Sequence, residues 1–344
     1  MTRTPTVLGI DIGGTTTSFG VVEGDGRILT RETIPTRPDE DASTLVSRIR
    51  GRFRDFFSPL EDSRELKGIG IGAPNANYYT GVVTNPPNLG WEPSVNLAGL
   101  FREAFGLPVA ITNDANAAAI GEMEFGGAAG MRHFMVITLG TGVGSGIVVN
   151  GEVLYGADGF AGEIGHTVVD PDGRECACGK RGCLETYASA PGLCRTVMCL
   201  LADRTEDSVL RERSPRELTA RNVFEAAKQG DTLALEAFHR TGRILGMKLA
   251  DAVAITSPEA IFLFGGLAAA GELIFQPTLL SMEAHLLKVF RGKVRLMPSG
   301  LPESDAAILG AAALVMRELK TYPKAGARPH FHHPEETPNE QHGS

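Results

Sequence analysis

The sequence lacks the features that mark several large classes of protein. None of its apolar runs reaches the roughly 20 residues that a membrane-spanning helix needs, and residues 1–7 do not follow the charged-then-apolar pattern of a secretory signal. Lysine and arginine form no block, and 33 of them against 41 acidic residues give a net charge of −8. We therefore expect a cytoplasmic globular protein with no membrane and no nucleic-acid partner.

Two common nucleotide-binding signatures are also missing. The chain has no G-x-x-x-x-G-K-[ST] sequence, so it is not a P-loop enzyme. Neither of its glycine-rich hairpin turns completes G-x-G-x-x-G at a strand-to-helix junction. This second absence argues against a dinucleotide-binding fold.

Glycine is the residue that the chain has in excess, with 42 among 344 residues, about one in eight against an average near 7%. Many of these glycines lie in one pattern that occurs twice: a strand, a glycine turn, a second strand, an Asx-Gly turn and a third short strand. The pattern covers residues 6–29 and 133–154, so that Gly20 corresponds to Gly146, about 126 positions further on. The repeat predicts two related lobes that face a shared cleft.

The rest of the chain alternates between strands and helices, which indicates an α/β protein. Apolar runs and stretches of good helix formers predict strands at 67–72, 109–113 and 261–264, helices at 41–57, 115–124 and 306–319, and a mainly helical region at 190–249. The N-cap of the first helix is predicted to be Asp41 or Ser43. From Tyr322 onward Pro, Gly, His and Glu dominate without apolar periodicity, which predicts a disordered tail over 322–344. No cysteine or carboxylate pattern frames the histidines of this tail, so we expect it to be inert.

Both glycine turns offer backbone N–H groups and hydroxyls to an anion, because glycine permits conformations in which successive amides point the same way. The first turn follows Asp11, whose carboxylate could hold Mg²⁺ beside a phosphate chain. A third glycine pair, after the strand at 261–264, would suit a flat adenine ring. The candidate residues for ATP and Mg²⁺ are Asp11, Gly13, Gly14, Thr15, Thr16, Gly140, Thr141, Gly142, Gly144, Gly265 and Gly266. Alternatively, the turns are ordinary tight hairpins and the third pair serves close helix–strand packing.

Asp114 follows Asn113 at the end of a strand, before a run of small residues that would leave it open to a cleft. The start of a helix favours the ionised form of a carboxylate, which makes it a weak base. A weak base suffices where proton removal comes late, as in loose phosphoryl transfer. The local sequence leaves two interpretations open, a catalytic base and a plain N-cap of the helix.

Five cysteines is an odd number, which excludes a fully paired disulfide framework. Three of them crowd into eight residues and, with a histidine upstream, give H-x9-C-x-C-x4-C through His166, Cys176, Cys178 and Cys183. Three thiolates and one imidazole form a closed tetrahedral set, which is typical of structural rather than catalytic Zn²⁺. The alternative is a group of reduced thiols without a metal.

Two glutamates accompany this cysteine loop. Glu163 lies three residues before His166, and Glu185 lies two residues after Cys183. A loop that fixes two carboxylates would make a clamp for hydroxyl groups, since ionised carboxylates accept strong hydrogen bonds. Both could instead be ordinary surface charges, the common location of glutamate.

Together, these segments resemble the ROK family of sugar kinases and related repressors, over residues 7–319. Five matches come in the family's order. The segments Asp11-Ile12-Gly13-Gly14-Thr15 and Leu139-Gly140-Thr141-Gly142-Val143-Gly144 resemble its two phosphate loops, and Asn113-Asp114-Ala115-Asn116-Ala117 resembles its catalytic segment. Glu163-Ile164-Gly165-His166 is similar to its E-x-G-H motif, and residues 176–185 are similar to its C-x-C-G-x-x-G-C-x-E zinc loop.

The resemblance implies a two-lobed actin-like ATPase fold, which is ribonuclease H-like. Residues 1–125 would form the N-terminal lobe, joined by a last helix over 303–320, and residues 126–302 a larger lobe that carries the zinc loop at 165–185. It further implies a hexose kinase that uses Mg-ATP and Mg²⁺ and holds a structural Zn²⁺. A homodimer or a dimer of dimers is the implied assembly.

The resemblance also assigns the site. Asp114 would take the proton from the sugar 6-hydroxyl, and the other hydroxyls would be held by Asn75, Asn113, Glu163, His166 and Glu185. His166 would serve twice, with one ring nitrogen on zinc and the other toward the sugar. Asn75 stands where the family usually has glycine in a G-x-P-G turn, and an Asn77-Tyr78-Tyr79 insertion follows it.

Glucose is the expected sugar, because by analogy Glu163 faces the C2–C3 side and an N-acetyl group there would need extra room. N-acetylmannosamine, N-acetylglucosamine and fructose are the alternative substrates. Two other functions use the same body, a sugar-sensing repressor and an inactive sugar-binding protein. Repressors of this family carry an N-terminal helix-turn-helix domain, and only six residues precede Val7, so we do not expect a repressor. We do not expect an inactive protein either, because both phosphate loops and both aspartates are present.

Overall fold

A computed structural model describes residues 3–86 and 89–321, so the expected disordered tail over 322–344 lies outside the described residues. The strands are β1 (Thr4–Ile12), β2 (Thr16–Glu23), β3 (Ile28–Pro35), β4 (Arg64–Gly72), β5 (Val83–Thr84), β6 (Ser94–Val95), β7 (Val109–Thr112), β8 (Phe134–Leu139), β9 (Val143–Val149), β10 (Glu152–Val153), β11 (Ala260–Phe264) and β12 (Arg295–Pro298). The α-helices are α1 (Ala42–Phe57), α2 (Leu97–Phe105), α3 (Asp114–Phe125), α4 (Glu185–Ala188), α5 (Ala190–Asp203), α6 (Ala220–Lys228), α7 (Thr232–Thr256), α8 (Glu272–His285) and α9 (Ala306–Thr321).

Two five-stranded sheets have the same arrangement of strands. The first has the order β3-β2-β1-β4-β7 and the second β10-β9-β8-β11-β12. In each, an antiparallel three-stranded meander (β1–β3 or β8–β10) is followed by two strands parallel to its first strand. Both meanders are longer than the sequence predicted, since β3 continues to Pro35 and β9 already begins at Val143.

The outer face of the first sheet is covered by α1 and α2. Asp41 caps α1, as predicted, by accepting a hydrogen bond from the Thr44 backbone N at 2.7 Å. Apolar residues recur at helical spacing along α1, and Leu45, Ile49 and Phe53 are buried with the strands and α2 in one core. The corresponding face of the second sheet packs against α5, α7 and α8 in a larger core.

α3 and α9 pack against each other between the two sheets. The last helix, α9, lies directly on β1 and β4 because these strands have glycine where it passes. A Cβ atom at Gly9 would lie 2.2 Å from the Ile308 carbonyl oxygen, and one at Gly70 would lie 1.7 Å from that of Ala311. The last helix, α9, therefore packs directly on the first sheet.

Within residues 3–86 and 89–321, no helix is both long and apolar enough to cross a membrane.

Candidate active site

Two aspartates meet at the carboxyl-terminal edge of the first sheet. Asp11 near the end of β1 pairs with Gly72 at the end of β4, and Gly72 pairs with Thr112 at the end of β7. Asp114 follows two residues later. A Cβ atom at Gly72 would lie 3.6 Å from Asp11 Oδ1 and 3.8 Å from the Asp114 Cα. Parallel strands that end together thus place both carboxylates in one cleft.

Asn113, not Asp114, is the N-cap of α3. The Asn113 Oδ1 accepts a hydrogen bond from the Asn116 backbone N at 2.7 Å, and Asp114 is the first helical residue. Asp114 Oδ1 accepts from the Ala115 N at 2.8 Å. The N-cap interpretation of Asp114 is therefore wrong, because its neighbour occupies that position. The Asn113 Nδ2 group stays available as a donor.

Burial raises the pKa of three carboxyl groups of the cleft, those of Asp11, Asp114 and Glu163. Burial raises the pKa of Asp11 to about 7, and the Asp114 carboxylate contributes to the shift. Asp114 is open to water in the cleft, yet protein surrounds it closely, and this desolvation raises its pKa. Desolvation also raises the pKa of Glu163, with His166 opposing the shift and Asp114 and Glu185 adding to it. Such a cleft favours a divalent cation and hydroxyl donors.

Both glycine turns present unpaired backbone amides. Gly13 N donates to Thr16 O at 2.9 Å and Gly140 N to Gly142 O at 3.1 Å, which closes each turn tightly. Among the described residues, no acceptor pairs with the backbone N–H of four residues, which are Gly14, Thr15, Thr141 and Gly142. These amides are available to an anion, as the sequence predicted.

The start of α3 joins the second turn to the aspartates. Gly144 and Gly146 of β9 let the helix approach closely, since a Cβ atom at Gly146 would lie 2.5 Å from the Ala115 carbonyl oxygen. The third glycine pair lies beside the same turn. Gly265 has φ of +97°, and a Cβ atom there would lie 2.8 Å from Leu139 O. The second glycine turn, the third glycine pair and the start of α3 thus lie together at one edge of the second sheet.

The predicted metal ligands form a compact cluster. The ligand atoms of His166, Cys176, Cys178 and Cys183 all lie within 4.8 Å of one another. His166 Nδ1 is 3.7 Å from Cys176 Sγ, and Cys178 Sγ is 3.6 Å from Cys183 Sγ. A tetrahedron with Zn–S bonds of about 2.3 Å has edges of about 3.8 Å. The donor set and its spacing therefore fit Zn²⁺, and the other edge of the His166 ring, which carries Nε2, is left for a second partner.

Local backbone turns build this cluster. Gly179 and Gly182 have φ of +88° and +71°, and Cys176 N donates to Lys180 O at 2.9 Å. Lys180 Nζ in turn donates to the His166 carbonyl oxygen at 2.7 Å. Burial raises the pKa of the Cys176 and Cys183 thiols. A bound cation would be needed to hold them as thiolates at neutral pH.

Glu185 lies between the metal cluster and the second glycine turn. Its Oε2 accepts a hydrogen bond from Val143 N at 3.2 Å, and its Oε1 is 3.7 Å from Cys176 Sγ. The sequence predicted a sugar contact for this carboxylate but not this contact with the turn. The metal loop and the turn are therefore mechanically connected through one side chain.

Asn75, which the sequence places where glycine is usual, has a left-handed backbone. Asn75 has φ of +54°, a left-handed conformation in which asparagine is among the best tolerated non-glycine residues. Its Nδ2 donates to Asn85 O at 3.0 Å. Asn75 thus adopts a conformation that glycine also adopts freely.

The Asn77–Tyr79 segment reaches the chain just ahead of Glu163. Asn77 Nδ2 donates to Asp158 O at 2.5 Å, and Tyr79 OH donates to Gly156 O at 3.0 Å. The Tyr78 ring stacks on Tyr155 with 4.1 Å between centroids, and its hydroxyl donates to Glu318 at 2.6 Å. Sequence reasoning missed this cluster, because no local pattern links residues 78, 155 and 318.

Comparisons with known proteins agree with this geometry. The ROK family profile matches residues 7–318. The chain is 35% identical to a glucokinase of Thermotoga maritima over 315 residues, which cover 91% of this chain and 98% of that one. A ROK family glucokinase from Streptomyces griseus, in complex with glucose and AMPPNP, superposes with a TM-score of 0.76 at 34% identity, covering 90% of this chain and 98% of that one.

A ROK family transcriptional regulator superposes with a TM-score of 0.81 at 28% identity, covering 92% of this chain and 78% of that one. The chain belongs to the ROK family and has its actin-like ATPase fold. This α/β fold has two five-stranded sheets, each with both parallel and antiparallel strands. The resemblance seen in the motifs is confirmed.

Proposed function

We propose that this protein is an ATP-dependent hexose kinase that phosphorylates the 6-hydroxyl of glucose. The observation that carries the proposal is the meeting of Asp11 and Asp114 across Gly72. Asp11 leads into a glycine turn with unpaired amides, and the start of α3 packs on β9 just after the second such turn. The likeness to a glucokinase over nearly the whole chain, and to a ROK glucokinase that binds glucose and AMPPNP, supports it.

Asp114 is the proposed base. It is exposed to the cleft and its carboxylate keeps one oxygen, Oδ2, free of the helix amide that holds Oδ1. The sequence predicted a weak base at the start of a helix. Desolvation instead outweighs the effect of the helix amides and raises the pKa of Asp114, which makes it a stronger base than an ordinary aspartate. It takes the proton of the sugar 6-hydroxyl as that oxygen attacks the γ-phosphate of ATP. Because the transition state of phosphoryl transfer is loose, the proton is needed late.

Four side chains around Asp114 are proposed to hold the remaining sugar hydroxyls. Asn113 offers its Nδ2 as a donor, Glu163 and Glu185 offer carboxylate oxygens, and His166 offers the ring nitrogen that faces away from the cysteines. Glu163 is the residue proposed to favour a C2 hydroxyl over an N-acetyl group, since a buried acceptor left unpaired by the wrong substrate is costly. Asn75 contributes through its backbone position, which shapes the neighbouring wall.

Asp11 and the glycine segments are proposed to hold Mg-ATP. The unpaired amides of the two turns would bind phosphate oxygens, and the neutral third pair at Gly265-Gly266 would lie against adenine. Asp11 would accept Mg²⁺, whose charge would relieve the repulsion between Asp11 and Asp114. Mg²⁺ neutralises the developing charge on the phosphates in such reactions.

Zn²⁺ is proposed for the His166 and three-cysteine cluster, in a structural role. The proposal also keeps the two lobes, with residues 1–125 and 303–320 in one and 126–302 in the other, as products of an internal duplication. The shared strand order of the two sheets supports this division. We also propose a cytoplasmic location, because thiols stay reduced in the cytoplasm. The proposed assembly is a homodimer or a dimer of dimers.

A coupled ADP-release assay across a hexose panel tests the function. We expect glucose to give the highest kcat/KM among glucose, mannose, fructose, N-acetylglucosamine and N-acetylmannosamine. An N-acetylated sugar that exceeds glucose by more than about tenfold, or about 1.4 kcal/mol of transition-state preference, would overturn the proposed role of Glu163. Glucose binding without ADP release for any hexose would instead favour a sugar-sensing protein without kinase activity.

A further inference from the structure

A cavity of about 480 Å³ lies outside the site described above, between α5, α7 and the metal loop. The metal loop contributes Arg174, and the short helix α4 contributes Tyr187. Helices α5 and α7 contribute the other lining residues, which are Thr196, Cys199, Glu236, His239, Arg240, Arg243 and Ile244. The cavity therefore combines cationic and hydroxyl side chains from three separate parts of the chain.

The charges of this cavity do not balance. Three guanidinium groups face one carboxylate, and that carboxylate is already engaged, since Arg240 Nε donates to Glu236 Oε1 at 2.7 Å. In the described part of the chain, neither Arg174 nor Arg243 forms an ion pair with a carboxylate. A local excess of positive charge in a chain with net charge −8 is not a consequence of composition.

Arg174 is held rigidly without being neutralised. Its Nη1 donates to the carbonyl oxygens of Thr186 and Gly192 at 2.7 and 3.0 Å, and its Nη2 donates to Thr196 Oγ1 at 2.9 Å. Its guanidinium also lies 4.5 Å from the centroid of the Tyr187 ring. All of these partners are uncharged, so a fixed positive charge stays at the cavity wall.

We propose that this cavity binds a phosphorylated small molecule, whose phosphate is held by Arg174, Arg240 and Arg243. Guanidinium groups match phosphate oxygens in planar pairs of hydrogen bonds. The volume suits a small metabolite. The site is separate from the glycine turns, so it serves binding rather than phosphoryl transfer.

The occupant would brace the metal loop. Arg174 precedes Cys176 by two residues, and Tyr187 follows Glu185 by two. The Tyr187 hydroxyl also accepts the Arg174 backbone N–H at 3.1 Å. Ligand binding here is therefore expected to tighten sugar binding at Glu185 and His166, a consequence that rests on the proposed function.

Cys199 provides a local test that needs no enzyme activity. It is exposed and lines the cavity, so an occupant should slow its alkylation by iodoacetamide, followed by peptide mass spectrometry on the zinc-loaded protein. Inorganic phosphate and glucose 6-phosphate are titrated separately, with sodium chloride at matched ionic strength as the blank. Protection by both identifies a phosphate site, and tighter protection by glucose 6-phosphate identifies a sugar phosphate as the ligand.

The variant Arg243→Glu should raise the apparent Kd for protection at least about tenfold, the equivalent of one charge-assisted hydrogen bond of about 1.4 kcal/mol. Arg221→Glu on α6, an exposed position with the same change of charge, should leave it within about twofold. Equal protection in wild type and Arg243→Glu, or protection by chloride alone, would overturn the proposal. So would a Cys199 that is unreactive at every condition, because the cavity would then be closed to small molecules.

Sugar affinity separates the two parts of the inference. With the site confirmed by Cys199 protection, saturating phosphate should lower the Kd for glucose in wild type and not in Arg243→Glu. Protection without an effect on glucose would refute the bracing and keep the site. Loss of glucose binding under all conditions would instead count against the proposed kinase function.

Discussion

The two glycine turns occupy the same place in their sheets but differ in length and in charge. Ile12 pairs with Thr17 and leaves residues 13–16 in the first turn, whereas Leu139 pairs with Val143 and leaves residues 140–142 in the second. Asp11 stands before the first turn, while uncharged residues precede the second. The only carboxylate that the described residues place on the second turn is Glu185, which arrives from the metal loop.

Because of this difference, the two halves of the chain contribute different chemical groups to the cleft. The first half of the chain supplies both aspartates and so an acidic wall. The second half supplies an amide wall, which Glu185 contacts from the metal loop. A phosphate chain with a divalent cation needs both, since the cation is stabilised by carboxylates and the phosphate oxygens by preorganised N–H groups. Two matching sheets are therefore expected to respond differently to substitution.

The largest effect should come from Asp114→Asn on the acidic wall. The amide keeps the size and hydrogen bonds of the side chain but cannot take a proton, so kcat should fall by about 10² to 10⁴-fold with little change in the Kd for sugar. Steady-state kinetics and calorimetry measure the two quantities. Asp25→Asn, the same change in the exposed turn between β2 and β3, is the control. Turnover within about threefold of wild type would rule out the base.

The second largest effect should come from Cys178→Ser in the metal loop, because Glu185 connects this loop to the amide wall. Cys178 is the exposed member of the cluster, so its loss removes a ligand with little change in packing. We expect loss of zinc by elemental analysis, a fall in Tm of more than about 5 °C, or about 3.5 kcal/mol for a chain of this size, and weaker sugar binding through Glu185. Ala177→Ser, one residue away, should change none of these. Full activity in a purified zinc-free protein would contradict the assignment.

Asp11→Asn should reveal, as a pH-dependent gain in stability, the cost of burying the Asp11 carboxylate close to Asp114. A carboxyl with a folded-state pKa of about 7, against about 4 when unfolded, binds more protons when folded between those values. It therefore destabilises the fold as pH rises from about 4 to about 7. Without Mg²⁺ or nucleotide, the Tm of Asp11→Asn should exceed that of wild type by a margin that widens over this range. A difference in Tm that does not change with pH would show that the pKa of Asp11 is not raised in the folded protein. The same variant should weaken Mg-ATP binding.

The smallest effect should come from Asn75, which lies outside both turns. Asn75→Gly should be nearly neutral, because glycine adopts φ of +54° freely. Asn75→Ala should be about 1 kcal/mol less stable than Asn75→Gly, since both lose the bond to Asn85 but only alanine is strained. Chemical denaturation compares the two variants directly. Equal stabilities would show that the backbone conformation is not what selects asparagine.

Local patterns predicted the parts of the fold whose signals lie in short windows. The two hairpins were predicted from apolar runs broken by glycine, and α1 was predicted with its cap, Asp41. α2, α8 and β12 were missed. α8 contains Pro277 and has no clear amphipathic stripe, and β12 is a half-buried edge strand without an apolar run. Elements of this kind are specified by tertiary packing rather than by their own sequence.

The candidate site divides in the same way. The four metal ligands lie within 18 residues of sequence, and their spacing alone predicted a cluster that the structure brings together. The contact of Glu185 with Val143, and the stacking of Tyr78 on Tyr155, join residues that are 42 and 77 positions apart. Only the fold determines such pairs, so no motif could have predicted them.

The position of α9 has a consequence for how the chain folds during synthesis. The ribosome releases β1 and β4 early, but the helix that fills their glycine gaps is made some 240 to 300 residues later. Until then, this face of the first sheet stays uncovered, and closing so long a loop is slow. The half that is translated first is thus completed last, and a chain that stops before Ala306 should leave it open to aggregation.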